Sequence, residues 1–593
     1  MLKFIFRRLL ALVPVLWGIA TLVFALMYLV PGDPARLMAG QNADEQTIQS
    51  IRERMGLNKP LHVRYGKFLV DVATGDFGYS YRQRRPVIEV ILERFPATLK
   101  LALATILIAL VFGVSAGVLA ALRHGKALDW GVMVLSLLGI STPVFWLGLM
   151  LIVVFSVWLG WLPVGGYGDG GLRYLILPAV SLSAISTGYF ARITRGSFLE
   201  VMRTDYILAA RNRGLPGHRV VLRHGLRNAA IPLITVIGTN LAGLLGGAVA
   251  TETVFAWPGI GRAIYDAILA RDLPVVEGGV IFLAFVFVAA NLVIDLMYAW
   301  IDPRVRLPGF SGAGGGAMSR MGVRSWTFRI GIVLTAGVII GALGAGWFSP
   351  ADPYTVNMDS VMAPPSGAHP FGTDYLGRDM LSRVLYGGRI SLAIGVLAVL
   401  ISGLVGTTVG AAAGFAGGWV DEVLMRITDI VLAFPTALLA LAVMAVFEDP
   451  TIGKIFIVLG LVGWANIARL VRAEVMAVKE RDYVLAARSV GVSPLGVVLK
   501  HVLPNTLGTL LVALTLGVAS NILTEAWLSF LGLGAQPPLP SWGAMITEGQ
   551  FFLTTRPWVC IFPGLAILLT VLGFNMLGDG LRDVLDPRLR RGR

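Results

Sequence analysis

A polar segment occurs twice in this chain, and any fold must accommodate both copies. Residues 205–228 read DYILAARNRGLPGHRVVLRHGLRN, and residues 482–505 read DYVLAARSVGVSPLGVVLKHVLPN. One offset, 491 − 214 = 277, aligns the copies without a gap. At the same offset Arg192 and Arg195 fall on Arg469 and Arg472. Two short basic segments this similar, within two long apolar halves, indicate an internal repeat. The repeated part is polar and rich in arginine, so it preserves a surface rather than a core.

The composition is that of a membrane protein. Of the 593 residues, 56% are hydrophobic and only 14% are charged, and the mean hydropathy is +0.76. A soluble core of this length does not need such a composition, whereas a bundle of membrane-spanning helices does. The net charge of +14 could indicate nucleic acid, but the basic residues form short clusters between apolar runs. That distribution is typical of a membrane protein, so we expect a lipid bilayer and no nucleic acid as partner.

The chain has no sequence pattern for a metal or redox site. Its single cysteine, Cys560, lies in an apolar run, so neither a disulfide framework nor a cysteine-based metal site is expected. The six histidines are scattered and lack a spacing such as HExxH. We therefore expect no catalytic residue, bound metal or cofactor in this chain.

Apolar runs of about 20 residues, the length that crosses a bilayer, predict an all-α fold of about twelve spans. In the first half they lie near 9–30, 98–122, 130–160, 174–191, 229–250 and 279–301. In the second half they lie near 327–348, 390–414, 426–447, 454–473, 505–526 and 559–580. Six spans return the chain to its starting side, so the two halves are expected to be parallel.

The basic residues predict which side of the membrane each end occupies. The first apolar run is too long for a signal peptide, so we interpret it as a retained span that begins in the cytoplasm. The basic clusters at 123–126, 192–227 and the C-terminus then fall on that same side, as the positive-inside rule expects. Both termini are therefore expected in the cytoplasm. Residues 31–97 and 349–389 are expected outside, the former with small helices on the outer face.

The chain is interpreted as two homologous subunits fused together. The halves end alike, with NLVIDLMYAWIDPRVR against NMLGDGLRDVLDPRLR, and one offset, 575 − 291 = 284, aligns these ends. Between them, residues 303–326 contain GAGGGA, which is typical of a flexible linker. Met318 or Met321 would serve as the start of a separate second chain. We assign residues 1–302 to the first half and 327–593 to the second.

External segments after the two fifth spans are also matched. They read TETVFAWPGIG and TEAWLSFLGLG. The identical positions are Thr251, Glu252, Gly259 and Gly261 in the first half and Thr524, Glu525, Gly532 and Gly534 in the second.

The repeated segment predicts a short helix, a glycine turn and a second basic helix. An aspartate at the start complements the helix dipole, and a glycine at the end permits a left-handed turn. The simpler interpretation is a charged loop that anchors the bundle at the headgroups. That interpretation explains the arginines, but not why the alanines, the glycine and their spacing recur while the spans have diverged. Small residues before a turn suit the close approach of another protein, so we favour a docking element.

This block, with two alanines followed after three residues by glycine, resembles the EAA loop of ABC importer permeases. In that family its coupling helix docks on the nucleotide-binding subunit. Leu208 and Leu485 occupy the glutamate position of the motif, so this chain departs from it at one contact. The resemblance implies that the ATPase-docking residues are Asp205, Tyr206, Ala209, Ala210, Arg211, Gly214, Asp482, Tyr483, Ala486, Ala487, Arg488 and Gly491.

The resemblance extends over nearly the whole chain. The first half, with YLVPGDPA, GDFGYS and TETVFAWPGIG, resembles the first permease of dipeptide and oligopeptide importers. The second half, with FGTDYLGRDMLSRVLYGGRISL and LGLGAQPPLPSWG, resembles the second permease. Nickel and glutathione importers share this architecture, and these motifs do not separate them from peptide importers.

The resemblance also implies the partners. Each Gly-Lys pair is followed by Phe, Ala or Ile, so no GxxxxGK[ST] phosphate loop is present. ATP is therefore expected on two separate ABC ATPase subunits, or a fused pair, and an external solute-binding protein is expected to deliver the substrate. The chain would be a non-enzymatic, multi-pass component of a bacterial inner membrane. The rival class, a self-contained secondary transporter, would instead carry its repeated signature and ion-coupling acids within the spans.

Three acidic residues within predicted spans are further candidates. Intramembrane carboxylates are costly and often functional. Asp295 and Asp579 lie at equal places near the inner ends of the sixth spans, which favours structural pairing with cytoplasmic arginines over a proton site. Asp429 either faces the pathway or supports span packing, and the sequence favours neither.

Proline and glycine within the spans predict local geometry. Pro143 and Pro435 lie in the third spans and are expected to kink them. The glycines of 395–418, at spacings of about four residues, are expected to permit close helix packing.

Overall fold

The computed structural model describes residues 2–29, 35–36, 44–54, 56–168, 170–301, 324–434, 436–444 and 451–585. Every regular element within these residues is a helix. Extended chain pairs there only at two isolated bridges, Tyr79 with Pro86 and Thr373 with Asp379. The predicted all-α fold is confirmed.

The helices of the first 301 residues follow the predicted spans and add short helices between them. In chain order they are α1 (Leu2–Leu29), α2 (Glu45–Arg54), α3 (Leu61–Thr74), α4 (Val87–Leu122), α5 (Ala127–Ser141), α6 (Val144–Trp158), α7 (Leu172–Val201), α8 (Asp205–Asn212), α9 (Arg227–Gly247), α10 (Val249–Val254), α11 (Ile260–Leu269) and α12 (Leu273–Ile301). A helical turn at Gly217–Arg219 and a π-helical segment at Val220–Leu226 lead into α9. The small helices predicted within 31–97 are present as α2 and α3.

The helices of the second series begin at Arg324. They are α13 (Arg324–Leu343), α14 (Met380–Ala416), α15 (Gly418–Leu432), α16 (Thr436–Met444), α17 (Ile452–Lys479), α18 (Asp482–Ser489), α19 (Pro494–Phe530), α20 (Trp542–Gly549) and α21 (Trp558–Leu585). Single turns of helix lie at Ala345–Phe348, Met358–Ser360 and Gln550–Phe552. Nearly all of the predicted linker, 303–326, lies outside the described residues.

Eight of the described helices are long and apolar enough to cross a membrane, and two bent helix pairs raise that number to ten. The pairs are α5 with α6, which meet at 105°, and Gly217–Ala229 with Pro232–Leu245, which meet at 52°. The first predicted span lies in α1, whose apolar stretch is the shorter Leu12–Leu26. The span predicted at 426–447 corresponds to α15 and α16, which have only 15 and 9 residues. The described residues thus support eight to ten of the twelve predicted spans.

Two compact units divide the described residues. The first contains 2–12, 91–263 and 282–301, and its core includes the fully buried Leu101, Ala179 and Phe190. The second contains 13–90, 264–281 and 324–585, and its clusters include one formed by α14, α17, α18 and α19. Because 13–90 and 264–281 belong to the second unit, these units are not the same sets of residues as the predicted halves.

Glycines bring helices together at matched places in both units. In the first, a Cβ added to Gly117 of α4 would lie 2.6 Å from the backbone oxygen of Ala191 in α7. In the second, a Cβ on Gly410 of α14 would collide with the backbone oxygen of Ala468 in α17. Ala191 and Ala468 are related by the repeat offset, 468 − 191 = 277. The predicted packing role of the glycines near 410 is confirmed.

Pro143 does more than kink its span. It precedes the first residue of α6, and the chain turns by 105° between α5 and α6. Proline has no N–H to donate and its ring clashes with the preceding helical turn, so α5 ends at Ser141. Pro435, its predicted counterpart, lies outside the described residues.

Candidate partner interface

A glycine with a left-handed backbone follows each short helix of the repeat. Gly214, after α8, has φ of +72°, and Gly491, after α18, has φ of +85°. A residue with a Cβ pays roughly 1–2 kcal/mol for this conformation, which glycine adopts freely. At the other end, Asp205 and Asp482 lie in the first helical turns, where a negative charge is favourable. The helix–glycine–helix geometry predicted from the sequence is confirmed in both copies.

The hydrogen bonds around the two glycines are equivalent. After α8, the N–H of Gly214 donates to the carbonyl of Arg211 at 2.9 Å, and the N–H of Leu215 donates to that of Ala210 at 3.3 Å. This pair of bonds is a Schellman motif, which satisfies carbonyls at a helix end. The same two bonds after α18 run from Gly491 to Arg488 and from Val492 to Ala487.

One side of each short helix is buried against the helix that follows. Ile207 and Ala210 pack with Val220, and all three are buried. In the second copy Val484 and Val497 are fully buried in one cluster. These are the same positions, since 484 − 207 = 277 and 497 − 220 = 277. This apolar contact holds the short helix at a fixed angle to the next one.

The remaining surface of each short helix exposes apolar side chains at matched positions. Tyr206 and Leu208 are 44% and 49% exposed, and Tyr483 and Leu485 are 40% and 44% exposed. Ala209 and Ala486, between those positions and the turn, are also exposed, as are Arg211 and Arg488. Leu222 and Leu499 repeat the pattern on the following helix. Exposed apolar groups rimmed by polar ones mark interaction sites. The same positions are exposed in both copies of the repeat, so the exposure is a shared feature of the repeated segment.

Two contacts tie polar members of the repeat to the fold. The side-chain amide of Asn228 donates to the hydroxyl of Tyr206 at 2.9 Å. The guanidinium carbon of Arg488 lies 4.8 Å from the ring centre of Phe415, a cation–π contact between α18 and the end of α14. Both docking candidates are therefore held in place while part of their surface stays exposed.

One residue of each of two matched ion pairs lies shortly before a copy of the repeated segment. In the first unit, Arg195 of α7 contacts both carboxylate oxygens of Asp129, at 2.5 and 2.8 Å, and its Nη2 lies 3.0 Å from His124 Nδ1. In the second, Arg472 of α17 likewise contacts both carboxylate oxygens of Asp421, one of them at 2.6 Å. Each ion pair links the fourth span of its half to the start of the third span.

Sequence reasoning missed the acidic partners in these pairs. The repeat aligned Arg195 with Arg472, but Asp129 and Asp421 follow a different offset, 421 − 129 = 292. Pro143 and Pro435 share that offset, since 435 − 143 = 292. Aligning the third spans on their prolines would therefore have revealed the second aspartate from the first.

The acidic residues singled out within the spans have different surroundings. Asp429 accepts a hydrogen bond from Arg469 at 2.7 Å and lies 3.9 Å from Arg426, so it ties α15 to α17. The side chains of Asp429 and Arg469 are 36% and 57% exposed, so this contact is compatible with the packing interpretation and with the pathway interpretation. Asp579 is half-buried in α21. The side chain of Asp295 lies outside the described residues, so the expected structural role of that matched pair stays a prediction.

In the first unit, a buried carboxyl holds the segment after the fifth span by hydrogen bonds. Glu252 is fully buried, accepts a hydrogen bond from Thr98 at 2.7 Å and another from the backbone N–H of Arg262 at 2.9 Å. Burial raises the pKa of this carboxyl. A Cβ on Gly259 would collide with it, which explains why a glycine stands at position 259.

The second unit repeats this arrangement with other hydroxyls. Glu525 is fully buried and accepts hydrogen bonds from Ser391 at 3.1 Å and from Ser529 at 2.7 Å. A Cβ on Gly534 would collide with Ser529. The matched glutamates, Glu252 and Glu525, therefore each form a carboxyl clasp between the second span and the end of the fifth span.

An ion-pair cluster holds the segment before α14 against α20. Arg383, which is 1% exposed, donates to Asp374 at 2.9 Å and to Glu548 at 3.0 Å, and Arg378 donates to the same two acids at 2.7 and 3.1 Å. Burial raises the pKa of Glu548 to about 7, against the lowering effect of Arg378. The cluster lies in the FGTDYLGRDMLSRV stretch and explains its alternating charges. Nowhere in the described part of the chain do three His, Cys, Asp or Glu side chains meet as a metal site.

Comparison with known proteins gives matches over most of the chain. A model described as "Binding-protein-dependent transport system inner membrane component" matches twice, at 113–307 and 406–591. A model for the N-terminal part of such components matches residues 1–102. Each of the two longer matches contains one copy of the repeated segment.

Curated relatives are similar to about half of the chain. A dipeptide transport system permease of Alkalihalophilus pseudofirmus is 40% identical over 332 residues, which cover 52% of this chain and 100% of that protein. A di/tripeptide transport system permease of Pseudomonas aeruginosa is 44% identical over 333 residues, covering 52% and 99%. A glutathione transport system permease of Escherichia coli is 42% identical over 306 residues, with the same coverage. With the family domain present twice, this chain belongs to the binding-protein-dependent inner-membrane permeases of ABC importers.

Proposed function

We propose that this chain forms the membrane pathway of an importer that takes up di- or oligopeptides. The observation that carries the coupling part of this proposal is the pair of matched helix–glycine–helix elements with Tyr, Leu and Ala exposed. The relatives whose names specify dipeptides, di/tripeptides and glutathione support a small peptide as substrate. Glutathione, itself a modified tripeptide, and nickel remain the alternatives.

The docking surface is proposed to consist of the exposed faces of α8 and α18. Leu208 and Leu485 replace the acid of the family motif by apolar groups. We infer that the ATPase subunits contribute an apolar groove at these two places. Burying an exposed leucine stabilises a complex only when the partner surface removes that side chain from water. Gly214 and Gly491 support this contact indirectly, by setting the angle of each short helix.

The energy source and partners are proposed to lie outside this chain. Two ATPase subunits, or a fused pair, would bind ATP and dock on the two elements, and an external solute-binding protein would deliver the peptide. ATP can shift the permease between its states only through a differential affinity of the ATPases for those states. The permease transmits that difference through α8 and α18 and catalyses no reaction itself.

The orientation is proposed from the basic residues. Both termini and the 303–326 linker would be cytoplasmic, in the inner membrane of a bacterium. Cleavage of the linker by a protease added to intact cells would contradict this orientation.

A reconstituted transport assay tests the function. The chain is placed in liposomes with its ATPase and binding-protein partners, and uptake of a radiolabelled dipeptide is measured with and without ATP. We expect ATP-dependent uptake that unlabelled di- and tripeptides inhibit more strongly than glutathione or Ni²⁺. Uptake of Ni²⁺ or glutathione without peptide uptake would assign the substrate to an alternative. Uptake driven by an ion gradient without the ATPases would overturn the ABC mechanism.

A further inference from the structure

An apolar pocket opens on the surface of the second unit between three spans. It has a volume of about 380 Å³ and is formed by α13, α14 and α21, with the ring of Trp542 from α20. This volume is near the lower end of the range for small-molecule sites. Phe371 and Phe562, whose stacked rings have centres 3.9 Å apart, line the pocket.

The lining excludes a polar ligand. It consists of glycine, alanine, larger aliphatic and aromatic residues, and it includes no charged side chain. The only side-chain donor, the indole N–H of Trp542, is bonded to the carbonyl of Val384 at 2.9 Å. A polar group placed here would lose its bonds to water without replacing them, which costs free energy. The occupant must therefore present an apolar chain.

The mouth of the pocket opens on the exposed surface of candidate membrane spans, where we expect lipid. All three helices that form it are candidate membrane spans, and only 17% of the apolar window of α13 is buried. Leu565 and Leu569, which line the pocket, are 37% and 43% exposed, and Ile340 beside it is 59% exposed. In a membrane, acyl chains of lipid are the apolar groups that reach such a surface.

A cation stands at one end of the pocket. Arg389 follows Gly388, a lining residue, and donates to the carbonyls of Ala342 and Leu343 at 2.7 and 2.8 Å. The carbon of its guanidinium lies 4.7 Å from the ring centre of Tyr386. These contacts hold the exposed guanidinium beside the end of α13. An arginine in this position is suited to a phosphate group, which it recognises by charge and by its paired donors.

We propose that this pocket binds an anionic phospholipid of the bilayer, with one acyl chain between α13, α14 and α21 and its phosphate on Arg389. Helix capping by Arg389 explains two of its hydrogen bonds, but not the adjoining apolar pocket. The combination of an apolar cavity open to the bilayer and a fixed cation at its edge matches both parts of one lipid molecule. This site lies outside the docking elements and is independent of the peptide proposal.

Native mass spectrometry of the purified full chain tests the site. The protein is delipidated and titrated with phosphatidylglycerol or with phosphatidylcholine of identical chains. Gly337→Leu fills the pocket, because a Cβ at Gly337 meets no atom within 4 Å. Gly131→Leu is the matched control, since Gly131 is another exposed span glycine with no atom within 4 Å. Arg389→Gln removes the charge, and Arg389→Lys keeps it without the paired donors.

We expect one phosphatidylglycerol to bind more tightly than phosphatidylcholine, and Gly337→Leu but not Gly131→Leu to abolish that binding. Arg389→Gln should weaken the binding of phosphatidylglycerol about fivefold, which corresponds to ~1 kcal/mol for one basic residue at a lipid surface. Arg389→Lys should retain most of the preference for phosphatidylglycerol over phosphatidylcholine. Equal binding of the two lipids, or unchanged binding in both Gly337→Leu and Arg389→Gln, would show bulk lipid contact only and overturn the proposal.

Discussion

At the scale of residues, two arginine–aspartate pairs join the third and fourth spans next to the two copies of the repeated segment. The pair in the first unit is the more buried: the side chains of Arg195 and Asp129 are 14% and 5% exposed, against 29% and 18% for Arg472 and Asp421. A buried charge that loses its partner keeps its desolvation cost. The two pairs should therefore differ in how much stability depends on them.

We predict that Asp129→Asn and Asp421→Asn both lower the free energy of unfolding, by about 1–3 kcal/mol, and that Asp129→Asn has the larger effect. The physical reason is that each substitution leaves an arginine without its counter-charge, and Arg195 is more buried than Arg472. The apparent melting temperature in detergent measures this. Glu422→Gln is the control, because Glu422 adjoins Asp421 but is exposed. Equal shifts for Asp421→Asn and Glu422→Gln would contradict the prediction.

The buried cluster at α20 predicts a pH dependence. The pKa of Glu548 in the folded chain is raised to about 7 from an ordinary value of 4.5. A raised pKa means that the folded state holds this proton more tightly than the unfolded state, so the contribution of Glu548 is fully present below about 4.5 and is lost as pH rises through about 7. We expect Glu548→Gln to flatten the dependence of melting temperature on pH between these values. An identical slope in Glu548→Gln and wild type would show that Glu548 does not titrate in this window.

Residue-level prediction from sequence succeeded where the cause is local. Gly214 and Gly491 were assigned left-handed turns because a helix-ending glycine has few other roles. The partners of Arg195 and of Arg383 could not be assigned in that way, because they depend on how distant elements pack. The clasp around Glu252 was visible only as a matched Thr-Glu and glycine pattern, whose chemistry required the approach of Thr98.

At the scale of elements, the short helix, the glycine and the following helix act as one unit. The Schellman bonds and the contact between Ile207 and Val220 fix its angle, while Leu208 faces outward. A change at the glycine should therefore misdirect the exposed surface without disturbing the spans.

We predict that Gly214→Val and Gly491→Val insert normally but lose peptide uptake and substrate-stimulated ATP hydrolysis. A β-branched residue meets a cost of roughly 1–2 kcal/mol in this conformation. Gly214→Asn should retain more coupling, since asparagine tolerates a left-handed backbone. Gly217→Val is the control, because Gly217 is exposed in the same turn and begins a helix. Full uptake and full ATPase association in both Gly→Val variants would contradict the docking hypothesis, and loss of uptake with intact coupling would place these segments in the pathway.

The spans were predictable from apolar runs, but their breaks were only partly so. Pro143 predicted a kink, but the 105° turn also depends on the end of α5 at Ser141 and on the packing of α6. At 426–447 the apolar run continues into α15, which begins at Gly418 and carries Asp421 and Asp429 for contacts with arginines of α17. A prediction from hydropathy alone assigns such a helix to a longer span, because hydropathy does not take these tertiary contacts into account.

At the scale of the whole molecule, the chain carries its family domain twice and a glycine-rich segment between the copies. We predict that splitting the gene before Met318 yields two co-expressed halves that still associate and transport, because the GAGGGA segment has the composition of a flexible linker and the two halves end alike. Co-purification of differently tagged halves measures assembly, and uptake measures function. Two halves that insert stably yet fail to associate would count against the fused-subunit interpretation.

We propose above that the exposed leucines of α8 and α18 contact the ATPase subunits. The most direct test places a photo-crosslinking amino acid at Leu208 or at Leu485 in the reconstituted complex, with Leu128, which is 39% exposed on α5, as the control position. We predict light-dependent adducts with an ATPase subunit from positions 208 and 485, and none from position 128. Adducts only with lipid or with the binding protein, or equal ATPase adducts from all three positions, would contradict it.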